Sequence, residues 1–383
     1  MRVLVFGMMG QTPFAGVAWQ VLHYLEGLRR LGHDVYYIED TGTWPYDPEQ
    51  NTITDDARYA VNYIGQLMSR CGMQDHWAYL SAAAGGNAFG PSAGRVSDLL
   101  RHSDVLINLT GSTLLREEHL AVPVRIYLET DPVLPQIEIA QGRKFTISLL
   151  EAHTHHFTYG ENLGAPDCGV PLTHFHYHPT RPPVVLEWWE REITGERPFY
   201  TTIASWKQSG KDIVWNGETY TWSKHHEFLK FLDLPARAGP FELALACDDP
   251  EVLSLLRRHR WCVTDAIKLS RDISTYRNYI IRSRAEFTVA KDQNIRLRSG
   301  WFSDRSACYL AASRPVVTQD TGFGKVIPVG EGLFAFCTME EASAAFREIE
   351  SDYARHARRA HCIAEEYFRA ERVLNKLFEE AGM

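Results

Sequence analysis

The densest group of chemically useful side chains in this chain lies between Asn294 and Gly324. It combines arginines, a predicted helix N-terminus and a glycine-bearing turn, and its members are Arg296, Arg298, Ser303, Asp304, Arg305, Gly322 and Gly324. Guanidinium groups bind phosphate oxygens through paired hydrogen bonds, and a helix N-terminus offers free N–H groups and a positive dipole. Glycine lets the backbone approach a ligand closely. The pattern predicts a site for a diphosphate-linked ligand.

Within this group, we expect Arg296 and Arg298 to end a short strand. They alternate with Leu297, so in a strand both would point to the same face. Lys291 would join them at the end of the same strand. The alternative interpretation is a solvated strand edge followed by an ordinary helix cap at Ser303.

The elements that must position these residues fall into two similar halves. The first forty residues predict a strand, a helix ending at Gly32 and a second strand, which implies a parallel sheet with a right-handed crossover. A second α/β pattern begins at Phe199, after the proline-rich stretch 171–183. The predicted fold is α/β, with two Rossmann-like, doubly wound domains facing across a cleft. The predicted division is 1–185, a hinge at 186–198, and 199–383 with a closing C-terminal helix.

Polar residues that follow a buried strand in the first half are candidates for acid–base chemistry. Glu129 and Asp131 stand at a predicted strand tip, and the carboxyl ends of parallel strands border ligand clefts. Asp131 could take a proton from an attacking hydroxyl group. The alternative is an Asp-Pro turn that caps a helix.

Histidines give a second candidate base and a weaker metal candidate. His155 and His156 precede a predicted strand, and either could serve as a base in the cleft. Three further histidines alternate at His174, His176 and His178, which would place them on one face. No convincing set of Cys or carboxylate partners accompanies them, so we predict no metal site.

The second half resembles the donor-binding region of a known enzyme family. Gly300-Trp301-Phe302-Ser303, a helix, and Ala311-Ala312-Ser313-Arg314-Pro315-Val316-Val317 are similar to the motif of retaining, group 1 glycosyltransferases with the GT-B fold. The chain looks closest to their CgeB-like bacterial branch. The resemblance implies an enzyme that moves a hexosyl group from a UDP- or GDP-sugar to an acceptor hydroxyl, without a cofactor or protein-bound metal.

The resemblance also assigns roles to residues on both sides of the cleft. It places Trp206 and Lys207 beside the donor, where they would stack on a base or sugar and contact phosphate. It places Gly10, Gln11 and Thr12 beside the acceptor, which would be a carbohydrate, a small molecule or a lipid-linked compound. The loop 7–16 lacks the GxGxxG spacing of a dinucleotide site, which argues against NAD.

The chain departs from the family motif at two positions. Aligned on Pro315, the two family glutamates fall at Gly300 and Cys308. Asp304 lies one helical turn before Cys308 and is a possible substitute for the ribose contact. The departure keeps two alternatives open: a nucleotide-sugar epimerase or hydrolase of the same fold, and a carbohydrate-binding protein without catalysis.

Composition limits the classes of protein to which the chain can belong. The 383 residues carry a formal net charge of −8, which argues against a general nucleic-acid binder. No apolar run approaches the ~20 residues that a membrane span needs. The seven cysteines are scattered without a CxxC pair, which favours reduced thiols in the cytoplasm.

Overall fold

Two parallel sheets, each flanked by helices, make up the molecule. The computed structural model describes residues 1–82, 86–190 and 197–383. The N-terminal strands are β1 Arg2–Phe6, β2 Asp34–Glu39, β3 Tyr46–Asp47, β4 Thr52–Ile53, β5 Trp77–Leu80, β6 Ala88–Phe89, β7 Val105–Leu109, β8 Val124–Glu129, β9 His155–Thr158 and β10 His178–Pro179. The helices among them are α1 Ala15–Arg30, α2 Arg58–Arg70, α3 Val96–His102, α4 Leu134–Ala140 and α5 Lys144–Glu151.

The C-terminal half repeats the alternation of strands and helices. Its strands are β11 Tyr200–Ser205, β12 Ile213–Trp215, β13 Glu218–Tyr220, β14 Phe241–Ala246, β15 Cys262–Asp265, β16 Ala285–Thr288, β17 Val316–Gln319 and β18 Leu333–Phe336. Its helices are α6 His225–Leu229, α7 Leu234–Ala238, α8 Pro250–Arg258, α9 Ala266–Ser270, α10 Ile273–Arg282, α11 Asp292–Arg296, α12 Asp304–Ala311, α13 Met339–Ser351, α14 Tyr353–Ile363 and α15 Ala370–Glu380.

Both sheets have the doubly wound order that the sequence predicts. The first sheet runs β10-β9-β8-β7-β1-β2-β5-β6 and is parallel except for the pairing of β6 with β5. The second runs β15-β14-β11-β16-β17-β18 and is parallel throughout. Strand order reverses beside β1 in the first sheet and between β11 and β16 in the second. Such switch points are where open α/β sheets bind ligands.

Sequence pattern explains the central strands. β1 and β17 are short apolar or β-branched runs, and every residue from Val3 to Phe6 and from Val316 to Gln319 is buried. Parallel strands covered by helices on both faces need such continuous runs. The helix that follows β1 ends before Gly32, whose φ of +82° is a left-handed conformation that glycine adopts at low cost.

The two halves share one apolar cluster. It joins the core around β1 and α1 to residues of α12 and of the C-terminal tail, for example Tyr309 and Phe368. The tail breaks after α14 into a π-helical turn at Ala364–Phe368, and α15 then packs against α1. The closing C-terminal helix of the sequence prediction therefore lies on the N-terminal half.

The prediction of a strand at Arg296–Arg298 is wrong. This segment forms α11 and a turn, in which Arg298 has a left-handed φ of +49°. The amide of Ser299 donates to the carbonyl of Asn294, which closes the helical turn. Alternation over three residues is too short to distinguish a strand from a helix end.

The predicted hinge at 186–198 is described over part of its length and stays a prediction. Leu186–Trp188 forms a short 3₁₀ turn, and residues 191–196 of the predicted hinge lie outside the described residues. Within the described ranges, no helix is long and apolar enough to cross a membrane.

Candidate functional site

Three cationic side chains lie close together near the point where the strand order of the C-terminal sheet reverses, between β11 and β16. Lys224 precedes α6, Lys291 follows β16, and Arg305 lies in the first turn of α12. The ammonium group of Lys224 lies 5.0 Å from the ring centre of Trp301. We call Lys224, Lys291 and Arg305 the cation triad.

Lys224 is the member without a counter-ion. It makes no ion pair with any residue of the described ranges. Burial of its ammonium end lowers its pKa to about 7, and the neighbouring charges of Arg305 and Lys291 act in the same direction. A half-buried cation held beside two others is stabilised by an anion, so the triad has the electrostatics of an anion site.

Lys291 links the two halves. Its ammonium group is paired with the carboxylate of Asp131, which follows β8 in the N-terminal half. The same ammonium lies 3.1 Å from the ring centre of Trp222. Burial lowers the pKa of Lys291, although Asp131 acts to raise it. The second oxygen of Asp131, Oδ1, is buried and has no hydrogen-bond partner among the described residues.

Arg305 is fixed by the sheet beneath it. Its Nε donates to Glu286 at 2.7 Å, and its two terminal nitrogens donate to Thr288 Oγ1 at 2.8 Å and to the carbonyl of Ile203 at 2.5 Å. Burial is the largest effect and opposes its charge, but Glu286, Tyr276 and Tyr309 together outweigh burial, so the pKa of Arg305 is raised. The guanidinium therefore stays charged and holds one orientation behind Lys224.

The N-terminus of α12 joins the triad to α1. Ser303 is buried in an extended cap conformation without a side-chain cap bond. The carboxylate of Asp304 accepts from the amide of Arg305 at 2.8 Å and from Nε2 of Gln20 at 3.2 Å. Burial raises the pKa of Asp304. Asp304 thus faces helix α1 of the opposite half.

The other predicted basic residues lie elsewhere on the cleft edge. Arg296 pairs with Glu218 and Asp292 and covers the ring of Tyr220 at 4.2 Å, which ties it to the β12–β13 hairpin. Arg298 donates to Asp167 at 2.8 Å and to Asp320 at 3.2 Å. The structure does not bring these two arginines into the triad.

The predicted glycine turn follows β17 at the same edge as Arg298. Gly322 has a φ of +96°, and its amide donates to Asp320 at 2.8 Å. Gly324 lies in the 3₁₀ turn Phe323–Lys325, against Val329.

The predicted pair after β11 divides between core and surface. Trp206 is buried and stacks on Phe228, with ring centres 6.0 Å apart. It therefore belongs to the core under α6. Lys207 is exposed.

The loop between β1 and α1 is held from inside by two side chains. Glu39 accepts from the amides of Gly10 at 2.8 Å and Gln11 at 2.6 Å, and Tyr37 accepts from the amide of Met9 at 2.9 Å. Burial raises the pKa of Glu39 to about 7, against the hydrogen bonds that it accepts. These amides point inward, which leaves side chains such as Gln11 and Thr12 for the cleft.

The structure separates the predicted bases. Asp131 lies at the carboxyl end of β8, beside the triad. Glu129, two residues earlier, is buried and accepts from Gln136 at 2.8 and 2.9 Å and from Thr158 at 2.6 Å. Burial raises the pKa of Glu129 to about 7. Glu129 therefore fixes neighbouring strands.

His155 and His156 lie at the amino end of β9, where His155 pairs with Ile126 near the start of β8. The amino ends of the parallel strands lie on the side of the sheet opposite to Asp131, which follows the carboxyl end of β8. His156 is buried, and its Nε2 lies 2.9 Å from the carbonyl of Leu150. β9 begins at His155, so the cleft end of this strand is Thr158.

Comparison with known proteins identifies the fold. No family model and no curated protein matches this chain. Solved structures do match over the whole length. An alpha-glucosyltransferase in complex with UDP and a 13-mer DNA has a TM-score of 0.61 and 12% identity, with 100% of both chains covered. Anabaena Alr3699/HepE in complex with UDP and glucose has 0.60 and 11%, covering 100% of this chain and 99% of that one.

A third match is AviGT4, a glycosyltransferase involved in avilamycin A biosynthesis, with a TM-score of 0.55, 11% identity, and 99% and 96% of the two chains covered. The chain has the GT-B fold. In GT-B terms, the triad belongs to the second Rossmann-like half and Asp131 to the first. Within this GT-B chain, contacts such as Trp301 Nε1 to the carbonyl of Thr130, at 2.9 Å, connect the halves at the cleft.

Sequence reasoning missed Lys224, Trp222 and Trp301. Lys224 follows the β12–β13 hairpin and starts a short helix, and nothing in its local sequence shows that its ammonium is buried. The available signal was its position, after the first strand of the second half and directly before a helix. Among the described residues, no group of three or more His, Cys, Asp or Glu side chains is placed to hold a metal ion.

Proposed function

We propose that this chain is a glycosyltransferase that moves a hexosyl group from a nucleoside-diphosphate sugar to an acceptor hydroxyl. The observation that carries the proposal is the cation triad at the switch point of the second GT-B half, in which the half-buried Lys224 makes no ion pair with any described residue. Two neighbours of the same fold support UDP as the nucleotide: the alpha-glucosyltransferase was solved with UDP, and Alr3699/HepE with UDP and glucose and with UDP-glucose.

The triad suits the leaving diphosphate. Negative charge grows on this group as the bond to the sugar breaks, and fixed cations in a water-poor site stabilise it strongly. Lys224 would bind phosphate directly, and Lys291 would exchange its ion pair with Asp131 for one with phosphate. Arg305 would add a fixed positive charge that stabilises the diphosphate at longer range. Free N–H groups at the start of α12, around Ser303 and Asp304, would add donors.

The proposed division of labour follows the two halves. Residues 199–383 would bind the donor, and residues 1–185 would bind the acceptor through the Gly10–Thr12 loop. The acceptor would be a carbohydrate, a small molecule or a lipid-linked compound. Asp131 is the proposed base, because it comes from the proposed acceptor half and its carboxylate is paired with Lys291 of the triad. Arg296 and Trp206 leave the proposed donor set, since both are held by structural contacts.

The proposal extends to the branch of the family, the cellular compartment and the absence of a metal from the reaction. We place the chain near the CgeB-like bacterial branch and in the cytoplasm, where its seven free cysteines would stay reduced. We propose transfer without a protein-bound metal, because the triad itself neutralises the diphosphate.

Isothermal titration calorimetry with UDP, GDP and UDP-glucose tests the proposal. We expect UDP or GDP to bind, and Lys224→Met to weaken binding about tenfold or more, since one charge-assisted contact is worth at least about 1.4 kcal/mol. Lys376→Met, at an exposed position of α15, is the matched control and should bind as the wild type does. Absence of binding by every nucleotide at millimolar concentration would refute the proposal.

One observation favours a second candidate, a carbohydrate-binding protein without catalysis. Gly300 and Cys308 stand where related enzymes carry glutamates, and Cys308 is buried with its Sγ 3.8 Å from Nε2 of His23. This candidate predicts that UDP-glucose is bound but never consumed. Release of UDP from UDP-glucose, with or without added acceptors, would exclude it.

A further inference from the structure

A polar cavity of about 580 Å³ is lined by residues of both halves, and none of the triad residues is in its walls. Helix α2 forms one wall, the β3–β4 hairpin a second, and the turn between α9 and α10 a third. The first two elements belong to the N-terminal half and the last to the C-terminal half. We call this space the α2 cavity. Its volume is in the range of small-molecule sites.

The α2 cavity adjoins the loop assigned to the acceptor. The amide of Tyr46, at the start of β3, donates to the carbonyl of Gln11 at 3.0 Å. On the opposite wall, Arg271 donates to the carbonyl of Pro48 at 2.5 Å, so the C-terminal half closes over the hairpin. A molecule that occupies the cavity would contact both halves and extend toward the cleft centre.

The charged groups in the walls are largely occupied by one another. Asp56 pairs with Arg58, and Arg70 lies 3.5 Å from Asp272. Asp47 accepts from the amides of Glu49 and Gln50 and from the side chain of Gln50. No sign of charge dominates, so the walls suit an uncharged ligand better than an anion or a cation.

The remaining wall groups are phenols and amides that both donate and accept hydrogen bonds. Tyr59 and Tyr63 stack on each other with ring centres 6.3 Å apart, and Asn62 and Gln66 follow on the same face of α2. The hydroxyl of Tyr63 is buried and has no hydrogen-bond partner among the described residues. Hydroxyl-rich ligands satisfy such mixed donor–acceptor walls, and ring faces cover their C–H surfaces.

We infer that the α2 cavity binds a neutral oligosaccharide, the part of the acceptor that lies away from the reacting hydroxyl. The inference rests on the proposed function, because it names the class of acceptor. It predicts an acceptor long enough to contact α2 and the α9–α10 turn at once.

Ligand-observed saturation-transfer NMR and calorimetry test the inference with maltotriose, cellotriose and triacetylchitotriose. We expect at least one of these neutral trisaccharides to bind the wild type. Asn62→Arg places a long side chain in the cavity and should weaken that binding about tenfold or more, a change of about 1.4 kcal/mol. Ser69→Arg adds the same side chain at an exposed position of α2 outside the cavity and should leave binding unchanged.

Tyr59→Ala is the second variant, and it removes a wall without filling the space. It should also weaken the trisaccharide, and circular dichroism checks that each variant is folded. The inference is overturned if no trisaccharide binds a wild type that binds UDP, or if Asn62→Arg and Tyr59→Ala both bind sugar normally. UDP affinity, measured on the same preparations, should not change in any of these variants. If the wild type does not bind UDP, that result counts against the proposed function alone.

Discussion

At the scale of single residues, the ammonium of Lys224, which makes no ion pair among the described residues, gives the site a charge that depends on pH near neutrality. With a pKa of about 7, Lys224 changes charge in the physiological range. We expect the affinity for UDP-glucose to fall about tenfold between pH 6 and pH 8, because the protonated fraction falls from about 0.9 to about 0.1. Calorimetry across this range measures the change. UDP-glucose is the right probe because it has no terminal phosphate that titrates there.

Lys224→Met is the control for this pH dependence. The variant should bind weakly at every pH, with a flat profile. The pH dependence of protein stability gives an independent check of the direction in which the pKa of Lys224 is shifted. The pKa of Lys224 is lowered on folding, so the unfolded chain binds more protons between about pH 7 and 10.5 and the free energy of unfolding should rise with pH there. A wild-type affinity that does not depend on pH would contradict the assignment.

Asp131 offers a second residue-scale prediction, in which affinity and rate separate. Asp131→Asn removes the proposed base and also frees Lys291 for phosphate. We expect kcat to fall about 10²- to 10⁴-fold, the usual contribution of a general base. UDP should bind as tightly as before or more tightly. Steady-state kinetics and calorimetry provide the two readouts.

A purely structural role for Asp131 would give the opposite pattern. Loss of the ion pair between Asp131 and Lys291 would then lower the melting temperature while kcat per folded molecule stayed unchanged. Asp304→Asn is a useful comparison, because Asp304 is also half-buried at the cleft but faces Gln20 of α1.

At the scale of elements, the geometry of the turn before α12 explains why residue 300 is a glycine. Gly300 has a φ of +79°, and a Cβ built there would lie 2.4 Å from the amide nitrogen of Asn162. The amide of Asn162 itself donates to the carbonyl of Ser299 at 3.1 Å. The backbone of the N-terminal half therefore occupies the space that a side chain at position 300 would need.

Gly300→Ala tests this packing. We expect the free energy of unfolding to fall by about 3 kcal/mol or more, since a left-handed alanine costs about 1–2 kcal/mol and the backbone contact adds to it. Gly32→Ala is the matched control, with a φ of +82° and no atom within 4 Å of its built Cβ. It should cost about 1–2 kcal/mol. Equal losses in urea denaturation of both variants would contradict the proposed contact.

The sequence predicts elements where a pattern runs over many residues. The strand–helix alternation of both halves and the C′ glycine at Gly32 were readable, because buried parallel strands and amphipathic helices leave long periodic signals. The segment at Arg296–Arg298 was too short for such a signal. The site was harder still, because the approach of Lys224 to Arg305 and Lys291, and the pairing of Lys291 with Asp131, arise from tertiary contacts between elements far apart in the chain.

At the scale of the whole molecule, the C-terminal tail fixes the two halves to each other. After α14 the chain crosses to the N-terminal half, where α15 packs on α1. The amide of Val184 donates to the carbonyl of Phe368 at 2.7 Å, and the amide of Ala370 donates to the carbonyl of Val184 at 2.9 Å. The segment before the predicted hinge and the tail are thus bonded side by side, so we expect the halves to unfold together.

The closest point of this crossing is Gly27 on α1. A Cβ built there would lie 2.6 Å from Cδ1 of Leu374 and 2.9 Å from Cβ of Ala370. Gly27→Ala should therefore lower the free energy of unfolding by about 1–2 kcal/mol, because overpacking outweighs the gain in helix propensity of about 1 kcal/mol. Gly65→Ala, in the middle of α2, meets only Trp77 at 3.4 Å and should instead stabilise the protein by about 0.5–1 kcal/mol. Urea denaturation, followed by circular dichroism, gives both values. If Gly27→Ala were as stabilising as Gly65→Ala, α15 would not be seated on α1, and the tail could not be what holds the two halves together.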